Sequence, residues 1–506
     1  MKKLWMLTAL GFLLAAVFAA VPVRAQSVDD RIKALEDELQ RLKSEQTQVK
    51  DEQIQMRKDA AAAAAALPEF SYRPGSGMMI QAADKSWSFR TSLESHFRWE
   101  FENGQANAGR ETNTVMVRRF RPYFVYCIND CLYELMAALD MDGWGTGSAK
   151  NSTNTGGSSI VQRAVLWVHL EKLNPWFPTV YTGMDGPAAI SSYRQGSSAT
   201  SPQMEYDLLS RNNGFNTGRW GHAFGFNWED KDLSPIGIPG RIPLFNIVYG
   251  SIGEGDDGLQ SFRLHTSQSV YLNVEPFSQL KNKWIQGLGL EMGAWFCTVD
   301  GNPNADNACD RLRIQDNGDG GRQTLFDTGN NIGKGFTYFL MPGLSWTVGP
   351  YRLRAVMGFQ RYPGNEDGGI NSPKGRDFLI AHDIFLWSPK GFFTGSSTEA
   401  GSIQFGTHFE RTDVSCQPTG PSFPGRGGCD TSGEFNRNRI LLREWDLWYF
   451  LANRMSIGVN WLWYDASNVP STNVQSNLGC VKNNQHAVPG KGCSWNDVIL
   501  NYRYWW

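Results

Sequence analysis

From Val498 to Trp506 the chain reads VILNYRYWW, with Val498, Leu500, Tyr502, Tyr504 and Trp506 on one parity and Ile499, Asn501, Arg503 and Trp505 on the other. Successive side chains of a strand point to opposite faces, so one face is wholly apolar or aromatic while the other carries an amide and a guanidinium. Chain ends usually fray into polar residues. An aromatic final strand makes sense where its greasy face meets hydrocarbon and its tip lies at a membrane interface. The pattern points to an all-β transmembrane antiparallel barrel over a soluble sandwich. It also resembles the terminal strand by which the barrel-assembly machinery recognises its clients.

The other end of the sequence agrees. Lys2 and Lys3 precede an apolar run from Leu4 to Val21, and Val23-Arg24-Ala25 offers small or β-branched residues for cleavage. Residues 1–25 read as a secretory signal peptide, leaving a mature Gln26 with no lipoprotein cysteine after the cut. No later stretch has the roughly 20 uninterrupted apolar residues of a membrane helix. The 53 Gly, 19 Trp, 16 Tyr and 29 Phe with a net charge of −2 suit a barrel with a polar lumen and aromatic girdles. That charge lacks the basic excess of a nucleic-acid-binding surface.

Export bears on the eight cysteines, which fall into close pairs: Cys127/Cys131, Cys297/Cys309, Cys416/Cys429 and Cys480/Cys493. In an oxidising compartment this spacing predicts local disulfides, although spacing alone does not fix the pairing. No pair has the spacing of a zinc knuckle and no histidine is suitably placed, so no metal is expected.

After the signal, residues 26–66 read as a coiled-coil helix. Val28, Ile32, Leu35, Leu39, Leu42, Gln46, Val49, Gln53 and Met56 alternate steps of four and three. About four heptads are marginal alone, so the helix is expected to associate with its own copies. Residues 67–85, rich in Gly and Pro, read as a linker, and 86–506 as the barrel. From Trp87 the period changes to two, with Phe89, Phe97, Trp99 and Phe101 opposing Arg90, Glu94, His96, Arg98 and Glu100. Such segments recur to the terminus, giving about sixteen strands, although the alternation near 438–450 is muddled. Short links such as Gly349-Pro350 alternate with long ones such as 187–218 and 299–334. Outer-membrane barrels have this asymmetry, with short periplasmic turns and long external loops.

On the second strand, Val117-Arg118-Arg119-Phe120-Arg121-Pro122 resembles the paired-arginine segment of the phosphate-selective porin O and P family. The stretch from Leu209-Ser210-Arg211 to Gly225-Phe226 is similar to that family's path from an inward-folded loop 3 into strand 6. The resemblance covers most of the chain and implies a trimeric outer-membrane channel, some members selecting phosphate or polyphosphate. One departure matters. Gly183-Met184-Asp185-Gly186-Pro187 stands where the family commonly has Gly-x-Phe-Lys-x-Pro, one residue shorter and without the lysine. The corresponding constriction loop holds Arg194, Glu205, Asp207 and Arg211 but no lysine.

In a pore, function lies in lumen-facing side chains and in whatever narrows the channel. Parity puts Arg90, Arg98, Arg119, Arg121, Arg263, Arg352, Arg354 and Arg503 on the polar face of their strands. Guanidinium groups stay charged and bind carboxylate or phosphate in bidentate fashion. Glu94, Glu100, Glu134, Glu410 and Asp497 share that parity and temper the field. His96, His169, His265 and His408 sit in no metal or triad motif, and no cofactor is called for. The Asp316–Gly320 stretch clusters oxygen ligands without EF-hand spacing and reads as a polar external loop.

The expectation is therefore a homotrimeric porin in the outer membrane of a Gram-negative-type bacterium, its helix in the periplasm and its exterior against lipid. It would pass small anionic or polar solutes by passive diffusion, with weak anion preference ahead of phosphate or polyphosphate selectivity and an aromatic-lined sugar path. A non-conducting structural or adhesive barrel, or a barrel enzyme, is the alternative.

Overall fold

A computed structural model describes residues 28–65, 67–73, 76–104, 111–139, 161–185, 221–251, 266–299, 313–315, 324–327, 335–363, 374–394, 398–416, 436–467 and 493–505. The chain divides into two compact units, Met1–Leu67 and Pro68–Trp506. In the first, helix α1 spans Val28–Ala65, with Asp29 and Asp30 in its first turn. Carboxylates there favour the positive end of the helix dipole. Arg41 and Glu45, one turn apart, pair at 3.2 Å. Ile32, Leu35, Leu39 and Leu42 lie exposed along the heptad seam.

The second unit is a closed antiparallel barrel of sixteen strands. They are β1 (Trp87–Gly104), β2 (Glu111–Ile128), β3 (Tyr133–Leu139), β4 (Val161–His169), β5 (Thr179–Asp185), β6 (Gly221–Asp232), β7 (Arg241–Ser251) and β8 (Thr266–Glu275). The second half comprises β9 (Leu288–Val299), β10 (Gly335–Val348), β11 (Tyr351–Arg361), β12 (Lys374–Ser388), β13 (Ile403–Cys416), β14 (Asn436–Ala452), β15 (Met455–Ser467) and β16 (Cys493–Trp505). Each strand pairs with the next. β16 returns to β1, running from Trp495 opposite Gly104 to Trp505 opposite Glu94. Closure leaves no free edge, as a sheet in hydrocarbon requires.

The alternation read from sequence is the alternation seen. Along β12, side chains switch between buried and open almost without interruption. Phe97, Trp99, Leu447, Tyr449, Trp461, Val498 and Leu500 are exposed on the outside, while their strand neighbours are buried within. The muddled pattern near 438–450 resolves as a clean one. Leu442, Glu444, Asp446, Trp448 and Phe450 are all buried, and Leu441, Arg443, Trp445, Leu447 and Tyr449 face out. Aromatics and charges occur on both faces there, which hid the period.

Two local features depart from the sequence reading. The segment 67–85, read as a linker, holds a hairpin of Glu69–Arg73 with Gly77–Gln81. Its second strand pairs with Ser88–Thr91 of β1, extending the edge that β16 occupies higher up. Gly77 has φ +83°, and a Cβ there would lie 1.9 Å from the Thr91 carbonyl oxygen, so only glycine fits. The second is a bulge in β2: His96 pairs with Arg119, but Phe97 pairs with Val117. One extra residue, Arg118, shifts the phase, so Val115 and Val117 oppose outward Trp99 and Phe97 while Arg119 and Arg121 oppose inward His96 and Glu94.

The Cys127–Cys131 disulfide closes the β2–β3 turn, where Asn129, Asp130 and Cys131 all take left-handed φ. Cys297 is also disulfide-bonded, and no described cysteine is free. Cys309, Cys429 and Cys480 lie outside the described residues, as do the Asp316–Gly320 stretch and the signal segment.

Candidate permeation pathway

The barrel turns one face of every strand inward, and on β12–β16, β1 and β2 that face carries most of the buried charge, between apolar residues such as Leu379, Leu442, Leu462 and Ile499. Its residues meet across strands that are distant in sequence. On β1, Glu94 accepts from Arg119 Nη1 at 3.1 Å and from the Tyr123 hydroxyl at 2.8 Å. Asn501 on β16 accepts from Arg98 Nε at 3.2 Å, and its Oδ1 lies 2.7 Å from His96 Nε2. The same amide donates to Asn460 Oδ1 on β15 at 2.6 Å. Asn460 in turn donates to Glu444 at 3.3 Å and to Asp446, both on β14. His408 on β13 bridges Glu444 at 3.2 Å and Glu410 at 3.4 Å. A connected polar chain thus crosses five strands, from His96 and Arg98 to Glu410, with the Arg119–Glu94–Tyr123 group beside it.

Every member of that chain is nearly sealed from water. Glu94, Arg98 and Arg119 are at most 3% exposed, and Glu410 and Asn460 are at 0%. Buried charge is tolerated only when paired and hydrogen-bonded. Arg503, 3% exposed, stacks its guanidinium 3.6 Å from the centroid of the Trp448 ring. A desolvated cation over an indole face is favoured by the ring quadrupole. Gly458, opposite Trp448, makes room: a Cβ would lie 2.2 Å from the indole.

These contacts divide the arginines that parity assigned to the pathway. Arg98, Arg119 and Arg503 are built into the wall. Arg90 is exposed, and Arg121, Arg352 and Arg354 keep partial exposure. Arg352 is anchored by Asp383, its Nε at 2.8 and 2.7 Å from the two carboxylate oxygens. Gln404 also donates to Asp383, at 3.3 Å, which fixes the carboxylate from the far side. Arg263 and the loop residues Arg194, Glu205, Asp207 and Arg211 lie outside the described residues.

From β4 to β8 the inner face is different. Val165, Tyr181 and Val248 form a buried cluster with Trp167 against it. Asn246 donates to Asn227 at 3.2 Å, and the Tyr271 hydroxyl donates to Glu291 of β9 at 2.7 Å. A small acid–imidazole group lies at the short-turn end. Thr179 donates to Glu171 at 2.7 Å, and His169 Nδ1 lies 2.8 Å from the other carboxylate oxygen. Burial opposes ionisation of Glu171, but hydrogen bonds from Thr179, the backbone and His169 outweigh it and hold the carboxyl below its usual range.

The sequence names Glu94, Glu410 and Asn501 on the inward parity, but not Asn460, Asp383, Glu444 and Asp446, which also carry the network. Their signal was the inward parity of each strand, but which partners meet depends on register between strands.

No protein-family model matches this sequence, and no curated protein matches it. Among solved structures, the fold is similar to OmpT, an outer membrane protein of Vibrio cholerae in a trimer form. That likeness has 9% identity and a TM-score of 0.47 over 83% of this chain and 100% of that one. It is similar also to the outer membrane channel DcaP of Acinetobacter baumannii, at 8% identity and TM-score 0.42 over 82% and 97% of the two chains. OccAB1 of Acinetobacter baumannii gives 10% and 0.37 over 82% and 96%. The barrel assignment rests on this chain's own closed register and its apolar exterior, not on these likenesses.

Proposed function

We propose that this chain is an outer-membrane porin that passes small hydrophilic solutes by passive diffusion, with weak preference for anions. One observation carries the reading: on the inner face of a closed barrel, Arg90, Arg121, Arg352 and Arg354 keep exposure while most inward acids are buried in pairs. Exposed guanidinium groups set the field that a solute meets, whereas buried acids act from behind the surface. Passage is then down a gradient, from weak site to weak site. Phosphate or polyphosphate selectivity, as the resemblance to the phosphate-selective porins implies, is the narrower reading. The missing lysine in Gly183–Pro187 weighs against it. Assembly as a homotrimer, export by residues 1–25, insertion by the barrel-assembly machinery and self-association of α1 in the periplasm belong to the same proposal. The exposed heptad seam supports the last of these.

The test is the reversal potential of the purified full chain in a planar bilayer under a potassium chloride gradient. Chloride preference is expected in the parent, and Arg121→Gln with Arg354→Gln should bring it close to neutral. Clear cation selectivity in the parent would refute the anion preference. Absence of any conductance step would instead favour a structural barrel, and block of chloride current by low phosphate would promote the phosphate reading.

A further inference from the structure

Outward-facing arginines are out of place on a wall made for lipid, yet β11–β15 carry a group of them. At the long-connection end of these strands Arg361, Lys374, Arg376, Arg411, Arg439 and Arg443 share the outward parity of Phe409, Leu447 and Trp461. Their register is compact. Arg361 pairs with Lys374, and Arg376, Asp413 and Arg439 form one row across three strands. The next row holds Phe378, Arg411, Leu441 and Asp465, and the one below it Ile380, Phe409, Arg443 and Trp463.

Two acids serve this group. Asp413 pairs with Arg411 at 2.9 Å and Arg439 at 3.0 Å, and Asp465 pairs with Arg443 at 2.8 Å. Leaving Arg361 aside, five cations less two anions leave a local charge of +3 on these described residues. The three paired arginines keep 41–44% side-chain exposure, so their remaining donors are open to a ligand. Trp463 lies level with Arg443, and directly beneath come Trp445 and Trp461, with ring centroids 4.9 Å apart. At the same level of β4–β10, described outward side chains such as Leu166, Thr182, Phe224, Tyr249, Gln268 and Phe336 are exposed and uncharged.

Unneutralised guanidinium groups facing hydrocarbon are costly, and the cost fades at the interface. Indole rings mark that interface. The cations just above the tryptophans therefore sit at headgroup height, on the side of the long connections that outer-membrane barrels turn outward. We propose that this outward face of β11–β15 is a binding site for the phosphorylated headgroup of an outer-leaflet lipid. The arginines clamp phosphate oxygens in bidentate fashion, and the acyl chains lie along Trp445, Trp461, Leu447 and Val459. The two aspartates hold the guanidinium planes apart and in place. This rests on the outer-membrane reading above but not on conductance.

The purified full chain in neutral detergent is titrated with a bis-phosphorylated glucosamine lipid, with its dephosphorylated form, and with inorganic phosphate. Binding of the first alone is expected. Arg376→Gln, Arg411→Gln, Arg439→Gln and Arg443→Gln together should weaken it by roughly tenfold or more, the order expected when several headgroup-facing cations are neutralised. Conductance and heat resistance of the barrel should stay as in the parent. Should the fourfold variant fold poorly, Arg376→Gln with Arg439→Gln is the second variant, with a smaller loss in the same direction. Equal binding by parent and variant overturns the site, as does equal affinity for the dephosphorylated lipid. Competition by inorganic phosphate at similar concentration makes it a free-anion site and overturns the lipid assignment. Loss of oligomer with lipid binding intact makes it a protein interface instead. A parent that binds the lipid without conducting would sink the porin reading and leave this one standing.

Discussion

The inner wall has two regions that are equally closed and chemically opposed. From β13 through β16 to β2 the buried inward face holds the charged and amide residues Glu410, Glu444, Asp446, Asn460, Asn501, Glu94, Arg98 and Arg119 between apolar ones such as Leu442, Leu462 and Ile499. From β4 to β8 it holds Val165, Tyr181, Val248 and Tyr271 with uncharged Thr179, Asn227, Asn246, Ser269 and Asn273. Exposure is near zero in both, so burial alone did not choose the residue type. What distinguishes them is the partner on the neighbouring strand. In the charged region donors and acceptors meet across the ladder, with five buried acids on β12–β14 and, on β16–β2, arginines beside Glu94, Glu100 and Asp497. That separation sets a fixed field along one side of the barrel. The neutral region has aromatic packing in its place, and its field is weak.

The comparison breaks most readily at its strongest bond. Glu94→Ala leaves Arg119 buried without its carboxylate, and removing one member of a buried pair costs about 3–5 kcal/mol. The matched change in the neutral half is Tyr271→Phe, which removes one hydrogen bond to a charged acceptor and should cost about 1.5–3 kcal/mol. Denaturant midpoints of the refolded barrel in lipid vesicles would rank the two. A larger loss for Tyr271→Phe would mean that the charged network is not what holds its side of the wall.

A glycine in each region allows a finer test. A Cβ at Gly458 would lie 2.2 Å from the Trp448 indole, and one at Gly225 would lie 2.2 Å from the Tyr181 ring. Overpacking of this kind typically costs about 1–3 kcal/mol, so both alanine variants should lose stability alike. Their effects on conduction should differ. Trp448 carries Arg503 on its face, and displacing it moves a charge of the fixed field. Gly458→Ala should shift the reversal potential, while Gly225→Ala should leave it within error of the parent. Equal shifts would show that selectivity depends on barrel shape and not on the charged side.

Which features were legible in sequence follows from how local each is. All sixteen strands could be read, because an apolar exterior and tight turns write themselves into neighbouring residues. The hairpin at Glu69–Gln81 was hidden because the Gly and Pro that make turns also make linkers. The bulge at Arg118 left no mark of its own; only its pairing with β1 shows that the phase changes there. The buried network was the least legible. His96 meets Asn501 across 405 residues, and Asn501 meets Asn460 across 41. Parity says that each side chain points inward. Register between strands, set by the whole barrel, says whom it meets.

The smallest expected effect lies at the rim of the neutral region. Glu171, in the turn after β4, has its carboxyl held below the usual value of 4.5 by hydrogen bonds that outweigh its burial. A carboxylate with a lowered folded pKa contributes stability that is complete above its unfolded value and is lost as pH falls through the folded one. The β4–β5 turn should therefore hold steady from mildly acidic pH down to about 4.5 and loosen below it. Hydrogen exchange of the amides between Leu170 and Thr179 would report this, since local opening is read there without unfolding the barrel. In Glu171→Gln the acid-dependent part should vanish, leaving exchange flat with pH once intrinsic rates are removed. If the turn of that variant still loosens on acidification, the titrating group is another.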